Sequence, residues 1–249
     1  MIIFSFDCAI KNLGFCCLEI NDNWRNEVSD LIVEIENFYS NLTDSPLDKM
    51  QELVSKANNI VDSIIKIKYM NIFDLAAEGK ARSTKYSEVV KRLKYILYCL
   101  EKQLPSPDVV LIEYQMNVND KARGISRYIE EYYLPIGDTD ATITYAINDY
   151  PLIAADLPDN VPTRKIYTIT ASLKNAYQTD STVAGSYQTF IEKYNRNYDA
   201  NKAHTTHNFT YFLETRGLSH TIKNIPNKLD DISDAFMQAY AWCRASNIF

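Results

Sequence analysis

Four acidic side chains occupy positions where the sequence predicts burial. Asp7 lies in the alternating strand pattern IIFSFDCAI, and Glu113 follows the apolar run DVVLI. Asp231 and Asp234 open a helical pattern near the end of the chain, and a spacing of three residues puts both carboxylates on one helix face. An unpaired buried carboxylate is costly. Carboxylates that converge from three elements are suited to Mg²⁺ or Mn²⁺, which prefer oxygen ligands.

We therefore hypothesise that Asp7, Glu113, Asp231 and Asp234 are catalytic metal ligands. Two Mg²⁺ ions (or Mn²⁺) held ~4 Å apart would activate a water molecule and stabilise the departing oxygen of a phosphodiester. Structural roles compete with this hypothesis. Acidic residues favour helix N-termini, and Asp230 is predicted to be the N-cap of the last helix. A glutamate at a strand end is often half-exposed.

The elements that position these acids form an α/β pattern. Residues 2 to 20 predict a β-hairpin with Gly14 near its turn, and the segment DLIVEIENF predicts a third strand. Residues 46 to 66 have helical spacing after an N-cap at Ser45. The predicted order continues with helix EVVKRLKYILYCLEKQL, strand DVVLIEYQ, helix KARGISRYIEEYYL, strands ATITYAIN and RKIYTIT, helix KAHTTHNFTYFLETRG with its stop at Gly217, and a last helix from Asp231 to about Ser246. A mixed sheet with an antiparallel hairpin and flanking helices follows.

Composition limits the classes of protein to consider. The chain has 249 residues, of which 46% are hydrophobic, and this suits one globular domain. No apolar run reaches membrane-spanning length, and neither a signal nor a transit peptide is recognisable, so we expect a cytoplasmic protein. Five cysteines without a CxxC pair are expected to be reduced core residues. His204 and His207 lack the further ligands that a zinc site needs.

Three motifs carry a resemblance to a known family. FSFDCAIKNLGF, VVLIEYQ and KLDDISDAF resemble, in the right order, the motifs of RuvC-like Holliday junction resolvases of poxviruses and other large DNA viruses. The resemblance covers about half of the chain. It implies an RNase H-like fold in a single domain over residues 1–249, with insertions at about 40–90 and 171–200. It also implies a homodimer whose protomers each nick one strand of a four-way DNA junction during recombination, repair or viral genome processing, in the host-cell replication site if the protein is viral.

The same resemblance suggests residues that contact DNA. Gln115 matches a position that could orient Glu113 or a phosphate, and Lys11 and Asn12 match the turn motif. The family tends to have many basic residues in the helix before the last motif. Here this region has few, with Arg196 and Lys202 as its strong cations. A positive surface would then come from other basic residues: Lys80, Arg82, Lys85, Lys121, Arg123 and Arg127. Some of the 18 tyrosines could stack on unpaired bases.

Other functions remain open at this point. The net charge of −6 argues against a nucleic-acid binder unless bound cations cancel several acids. A nuclease of the same fold could act on RNA–DNA hybrids or flaps with the same acids. A non-catalytic DNA-binding scaffold derived from a resolvase is an alternative of another class. A sugar-kinase or actin-like ATPase is disfavoured, because the chain has only 6 glycines and no glycine cluster.

Overall fold

The computed structural model of the chain describes residues 1–40, 47–76, 83–114, 120–134, 143–145, 165–222 and 229–248. Its strands are β1 (Ile2–Asp7), β2 (Leu13–Ile20), β3 (Ile65–Phe73), β4 (Val109–Glu113), β5 (Ile143–Tyr145) and β6 (Lys165–Ile169). Its α-helices are α1 (Trp24–Ser40), α2 (Leu47–Ile64), α3 (Tyr86–Gln103), α4 (Asp120–Tyr133), α5 (Tyr187–Lys193), α6 (Asn197–Thr215) and α7 (Leu229–Ala245). No helix in these ranges is both long and apolar enough to cross a membrane.

The strands form one mixed sheet. Its order is β3-β2-β1-β4-β6-β5, so that β1 and β4 are central. β1 and β2 form the antiparallel hairpin that the sequence predicts, with Asp7 opposite Gly14, whereas β1 and β4 run parallel. Helices cover both faces. The predicted fold class, an RNase H-like mixed sheet with an N-terminal hairpin and flanking helices, is confirmed.

Side-chain alternation assigns each strand residue to one of two cores. Phe4 and Phe6 of β1 pack with Leu93 and Ile129 of α3 and α4 on one face of the sheet. Ile3 of β1 and the α7 residues pack on the other face. Because Asp7 is an even number of residues from Ile3, its side chain is directed to the α7 face. The hairpin pattern therefore also determines the face on which the acids meet.

The segment DLIVEIENF, which the sequence predicts to be a strand, lies in α1, so that prediction is wrong. Leu31, Ile35 and Phe38 recur at helical spacing and are half-buried on α1, which packs against α2. The third strand is β3, which follows α2 directly and pairs antiparallel with β2. The two helices α1 and α2 thus connect β2 to β3. The helix predicted over 46 to 66 is confirmed as α2, although Ser45 lies outside the described residues.

All five cysteines are free thiols, as the sequence predicts. Cys99 is half-buried, and the other four are buried in the two cores. They are packing residues of the sheet and its helices.

Residues 171–200, which have no clear sequence period, fold against α6. Asp180 accepts a hydrogen bond from His207 at 2.9 Å, and Asn208 donates to the Gly185 carbonyl at 3.2 Å. His204 is fully buried, with its ring edge-on to Tyr187 at 5.3 Å between centroids. The two histidines at i, i+3 therefore anchor this segment to α6 by packing and by a hydrogen bond.

Acid should weaken this anchor through His204. Burial, with a smaller contribution from His207, lowers the pKa of His204 to about 4, whereas an unfolded histidine titrates near 6.5. The unfolded chain therefore takes up the proton first as the pH falls, and stability present above ~6.5 is lost towards the folded pKa. His204→Leu should remove roughly 2 kcal/mol of this pH dependence. Urea unfolding at several pH values would measure it, with the exposed His220→Gln as control. A His204→Leu profile parallel to that of the wild type would contradict the prediction.

Candidate active site

Asp7 and Glu113 meet at the carboxyl ends of the two central strands. Asp7 is the last residue of β1 and Glu113 the last residue of β4, and the preceding residues Phe6 and Ile112 are register partners. Both carboxyl groups are largely withdrawn from solvent, and they are hydrogen-bonded to each other. This is the edge at which open α/β sheets bind ligands.

Helix α7 brings two more acids to the same edge. Asp231 and Asp234 lie in its first turns and are 8% and 3% exposed. The helix is buried on almost all sides because it lies between the sheet and α6. Gly14 permits this approach, since a Cβ atom at position 14 would lie 2.3 Å from the Asp231 carbonyl oxygen. A residue without a side chain opposite Asp7 thus allows the helix to bring its acids beside those of the strands.

Two lysines lie among the carboxylates. Lys174 follows β6 in the short helical turn Leu173–Asn175 and is 5% exposed. Its Nζ lies 3.0 Å from Glu113 Oε1 and 3.1 Å from Asp234 Oδ2, so that it joins β4 to α7. A lysine so deeply buried is stable as a cation only with such partners.

Lys202 on α6 approaches the acids of α7 from the other side. Its ammonium pairs closely with Asp234 and lies 3.5 Å from Asp231 and 3.7 Å from Asp230. Thr205, one turn further along α6, donates a hydrogen bond to Asp234 Oδ1 at 2.8 Å. Asp234 is therefore held on both oxygens, and Lys202, with a side chain 22% exposed, is the more accessible of the two cations.

The pKa values of the two strand carboxyl groups are shifted in opposite directions. Burial and the adjacent Glu113 charge raise the pKa of Asp7 well above its usual range. Burial would also raise the pKa of Glu113, but the hydrogen bond from Asp7 and the charge of Lys174 lower it to about 2. Of the two carboxyl groups, Asp7 is therefore the one that binds a proton more readily. For both lysines, the neighbouring carboxylates outweigh the effect of burial and raise the pKa.

The donor set fits a divalent cation. Five acidic side chains, those of the four predicted ligands and Asp230, share two ammonium groups, and every donor is a hard oxygen. Within the ranges that the structure describes, however, no three acidic, histidine or cysteine side chains are arranged to surround one ion. The ammonium groups of Lys174 and Lys202 lie between the carboxylates instead. Binding of a cation here would require at least one of these ammonium groups to move.

One prediction at this site is wrong in detail. Asp230 is predicted to cap α7, but the helix begins at Leu229, so Asp230 lies inside its first turn. Its carboxylate faces Lys202 instead. The four other predicted acids are brought together as expected, whereas their catalytic role stays a prediction.

The predicted DNA-binding residues are spread more widely. Lys11 and Asn12 lie in the turn between β1 and β2, exposed and half-buried respectively. Lys121 donates to the Thr84 carbonyl at 3.0 Å, and Arg123 pairs with Asp120 at 3.0 Å. Exposed basic residues on this side of the molecule include Lys85 and Arg127. Gln115, Lys80 and Arg82 lie outside the described residues.

Lys174 is absent from the sequence-based predictions. It belongs to the segment 171–200, and the chain has 26 Lys and Arg residues, so composition alone does not single it out. A usable signal was its position shortly after the strand RKIYTIT, because a strand that neighbours β4 ends at the same edge of the sheet.

No family model and no curated protein matches the sequence. Among solved structures, the fowlpox virus resolvase in complex with substrate Holliday junction DNA aligns over 99% of this chain and 99% of its own, at 14% identity and a TM-score of 0.47. The yeast mitochondrial Holliday junction resolvase aligns over 98% and 78%, at 10% identity and a TM-score of 0.47. RuvC of Thermus thermophilus aligns over 99% and 97%, at 11% identity and a TM-score of 0.44. Values this low assign neither family nor activity.

Replacing Lys174 should show how far it balances the acids. Lys174→Met leaves Glu113 and Asp234 without this buried partner. We expect the free energy of unfolding, measured in EDTA, to fall by about 3–5 kcal/mol. Excess Mn²⁺ should restore more of the stability of this variant than it adds to the wild type, because a cation can replace the missing charge.

Thermal and urea unfolding with and without Mn²⁺ would measure both effects. Lys68→Met is the matched control, because it breaks the exposed pair with Glu19 and should cost less than about 1 kcal/mol. A Lys174→Met variant as stable in EDTA as this control would refute the charge-balancing role.

Proposed function

We propose that the chain is a divalent-metal-dependent endonuclease that resolves four-way DNA junctions. The observation that carries the proposal is the convergence of Asp7, Glu113, Asp231 and Asp234 from two strands and one helix at one sheet edge. An unbalanced set of buried oxygen donors is costly for a protein that has no cation to bind. The three sequence motifs, which appear in the order of the resolvase family, supply the choice of substrate.

In this proposal, Asp7, Glu113, Asp231 and Asp234 hold the metal. When bound, divalent cations would lower the pKa of a water nucleophile and stabilise the leaving oxygen of the phosphodiester. The protein's own contribution is positional. The hydrogen bond from Asp7 and the charge of Lys174 keep the pKa of Glu113 low, and Thr205 orients Asp234. A bound cation would favour the ionised form of Asp7, whose pKa is raised by burial and by the adjacent Glu113 charge.

Lys202 has a second role in the proposal. Its ammonium is partly exposed at the mouth of the acid cluster and holds three aspartates in the free protein. A cation that neutralises these aspartates would release Lys202, which could then contact the phosphate to be cut. The same lysine would in this way serve the free and the DNA-bound states. Its prediction as a DNA-binding residue is compatible with this role.

Two protomers would be required for resolution of a junction. One acid cluster can cut one strand, whereas a four-way junction is resolved by two symmetric cuts. A homodimer with two-fold symmetry places two identical sites in the required relation.

A nuclease for flaps or RNA–DNA hybrids is the second candidate, because the same acids would perform the same hydrolysis. A non-catalytic DNA-binding scaffold is less favoured, because retention of four buried acids would have no function in it. The substrate specificity of the cleavage reaction distinguishes all three.

Cleavage of a mobile four-way junction, a flap and a plain duplex should be compared in Mg²⁺ and in EDTA. We expect paired symmetric nicks on the junction, and none in EDTA. Asp7→Asn and Glu113→Gln should each lower the rate by more than about 100-fold, since even indirect partners of a metal contribute about 10- to 100-fold.

The control is Asp199→Asn, which removes an exposed acid from α6 and should leave the rate unchanged. Cutting of the flap alone would reassign the substrate. Junction binding without cutting in any divalent metal would establish the scaffold and end the nuclease proposal.

A further inference from the structure

The outer face of α3 carries an exposed stripe of basic and aromatic side chains. It comprises Lys91, Lys94, Tyr95, Tyr98 and Lys102, all of them exposed. At 3.6 residues per turn, these five residues fall within a sector about 100° wide. Tyr95 and Tyr98 are 70% and 53% exposed, so that both side chains are accessible to a ligand. The inner face of the helix is apolar and packs on the sheet.

Among the described residues, the three lysines of this stripe lack the acidic partners that Lys49, Lys56 and Lys68 have. Lys49 and Lys56 on α2 pair with Glu34 and Glu52, and Lys68 on β3 pairs with Glu19. In the described parts of the chain, by contrast, no carboxylate lies within salt-bridge distance of the three stripe lysines. Lys102 instead lies over the ring of Tyr98, with Nζ 5.6 Å from the ring centroid. The stripe therefore has a local positive charge that the protein leaves unneutralised.

The acids of α3 lie at the margins of the stripe. Glu88 and Glu101 flank its sector, and Glu101 accepts a hydrogen bond from the Tyr132 hydroxyl at 2.8 Å. The helix as a whole has four basic and two acidic side chains in a protein of net charge −6. The positive charge is thus concentrated on the solvent side of this one helix.

We propose that this stripe binds the sugar–phosphate backbone of a DNA duplex. Lys91 and Lys102 are eleven residues apart, or roughly 16 Å along the helix, which matches about five base-pair steps at 3.4 Å. Lysine ammonium groups along that length can neutralise successive phosphates. The hydroxyls of Tyr95 and Tyr98 can donate hydrogen bonds to phosphate oxygens between them.

A protein partner fits the stripe less well. Lysine is depleted in protein–protein interfaces, whereas an unpaired row of lysines is typical of a surface that binds a polyanion. The stripe also contains no exposed aliphatic side chain that could form the apolar centre of a protein interface. Charge complementarity favours DNA.

The position of α3 suits an arm of the DNA rather than the strand being cut. The helix covers the face of the sheet opposite α7, and its first residue, Tyr86, contacts Gly124 of α4. It leads into the start of β4, whose far end bears Glu113. The stripe thus runs from the end of the sheet that bears the acids towards the opposite end. This inference rests on the proposed function for the identity of the DNA as a junction arm.

Binding should be measured in EDTA, where no cutting occurs, on a labelled duplex, a four-way junction and oligothymidylate over a range of salt concentrations. The triple variant Lys91→Gln, Lys94→Gln, Lys102→Gln should reduce the slope of log affinity against log salt by about 2–3, since each phosphate contact contributes about 0.9. Its affinity for duplex and junction should fall about 10-fold or more at moderate salt. Tyr95→Phe with Tyr98→Phe should weaken binding by a smaller factor.

The matched control is Lys49→Gln, Lys56→Gln, Lys68→Gln, which makes the same charge change at lysines that already have acidic partners. An equal loss in the control would show a general charge effect and overturn the proposal, as would a triple variant that binds like the wild type. Tight binding of oligothymidylate that depends on Tyr95 and Tyr98 would overturn the proposal of a duplex ligand and identify single-stranded DNA as the ligand of the stripe. A change in oligomeric state without a change in DNA affinity would reassign the stripe to a protein contact.

The proposed nuclease activity is tested separately. Asp7→Asn should abolish cutting while keeping the salt slope of the wild type. A wild type that binds duplex through α3 but cuts nothing would leave this inference standing and refute the proposed function. If the wild type cuts junctions but the triple lysine variant keeps the wild-type slope of log affinity against log salt, the proposed function stands and this inference is refuted.

Discussion

The concentration of acidic side chains in one buried place is the constraint on which the rest of the site depends. Asp7, Glu113 and Asp234 are withdrawn from water, and neither their mutual repulsion nor their desolvation is favourable. The chain offsets this cost from three directions. Lys174 arrives from the end of β6, Lys202 arrives from α6, and Asp7 is hydrogen-bonded to Glu113. None of these solutions removes all of the negative charge, and the remainder is what makes the cluster suited to cations.

The sheet topology makes this concentration possible. β1 and β4 are adjacent and parallel, so that their last residues lie side by side although β2, α1, α2, β3 and α3 separate them along the chain. α7 must then approach the hairpin more closely than a side chain at position 14 would allow, and Gly14 provides the space. Two apolar cores, one on each face of the sheet, hold these elements rigidly enough for the acids to keep their positions.

Sequence reasoning succeeded where a residue conflicted with its local pattern. An aspartate in a buried strand is conspicuous because nothing local explains it. The two aspartates of the last helix also suit a helix N-terminus, and they point to a site only together with Asp7 and Glu113. Sequence reasoning failed where the pattern was ambiguous or silent. The apolar residues of DLIVEIENF suit either a strand or a helix, and packing against α2 favours the helix. Lys174 looked like any surface lysine, since its burial depends on acids more than 50 residues away along the chain.

Net charge is a poor guide to the partners of such a protein. Five of the acidic side chains belong to the acid cluster at the sheet edge, and others pair with the lysines of α2 and β3. A distant phosphate responds to the local field of a surface, which decays within about 10 Å at moderate salt, rather than to the sum over the chain. The unpaired lysines of α3 lie on the opposite face of the sheet from α7 and its acids, and they give that helix a local excess of positive charge. The negative total and a DNA-binding surface are then compatible, because opposite charges are segregated to different parts of one fold.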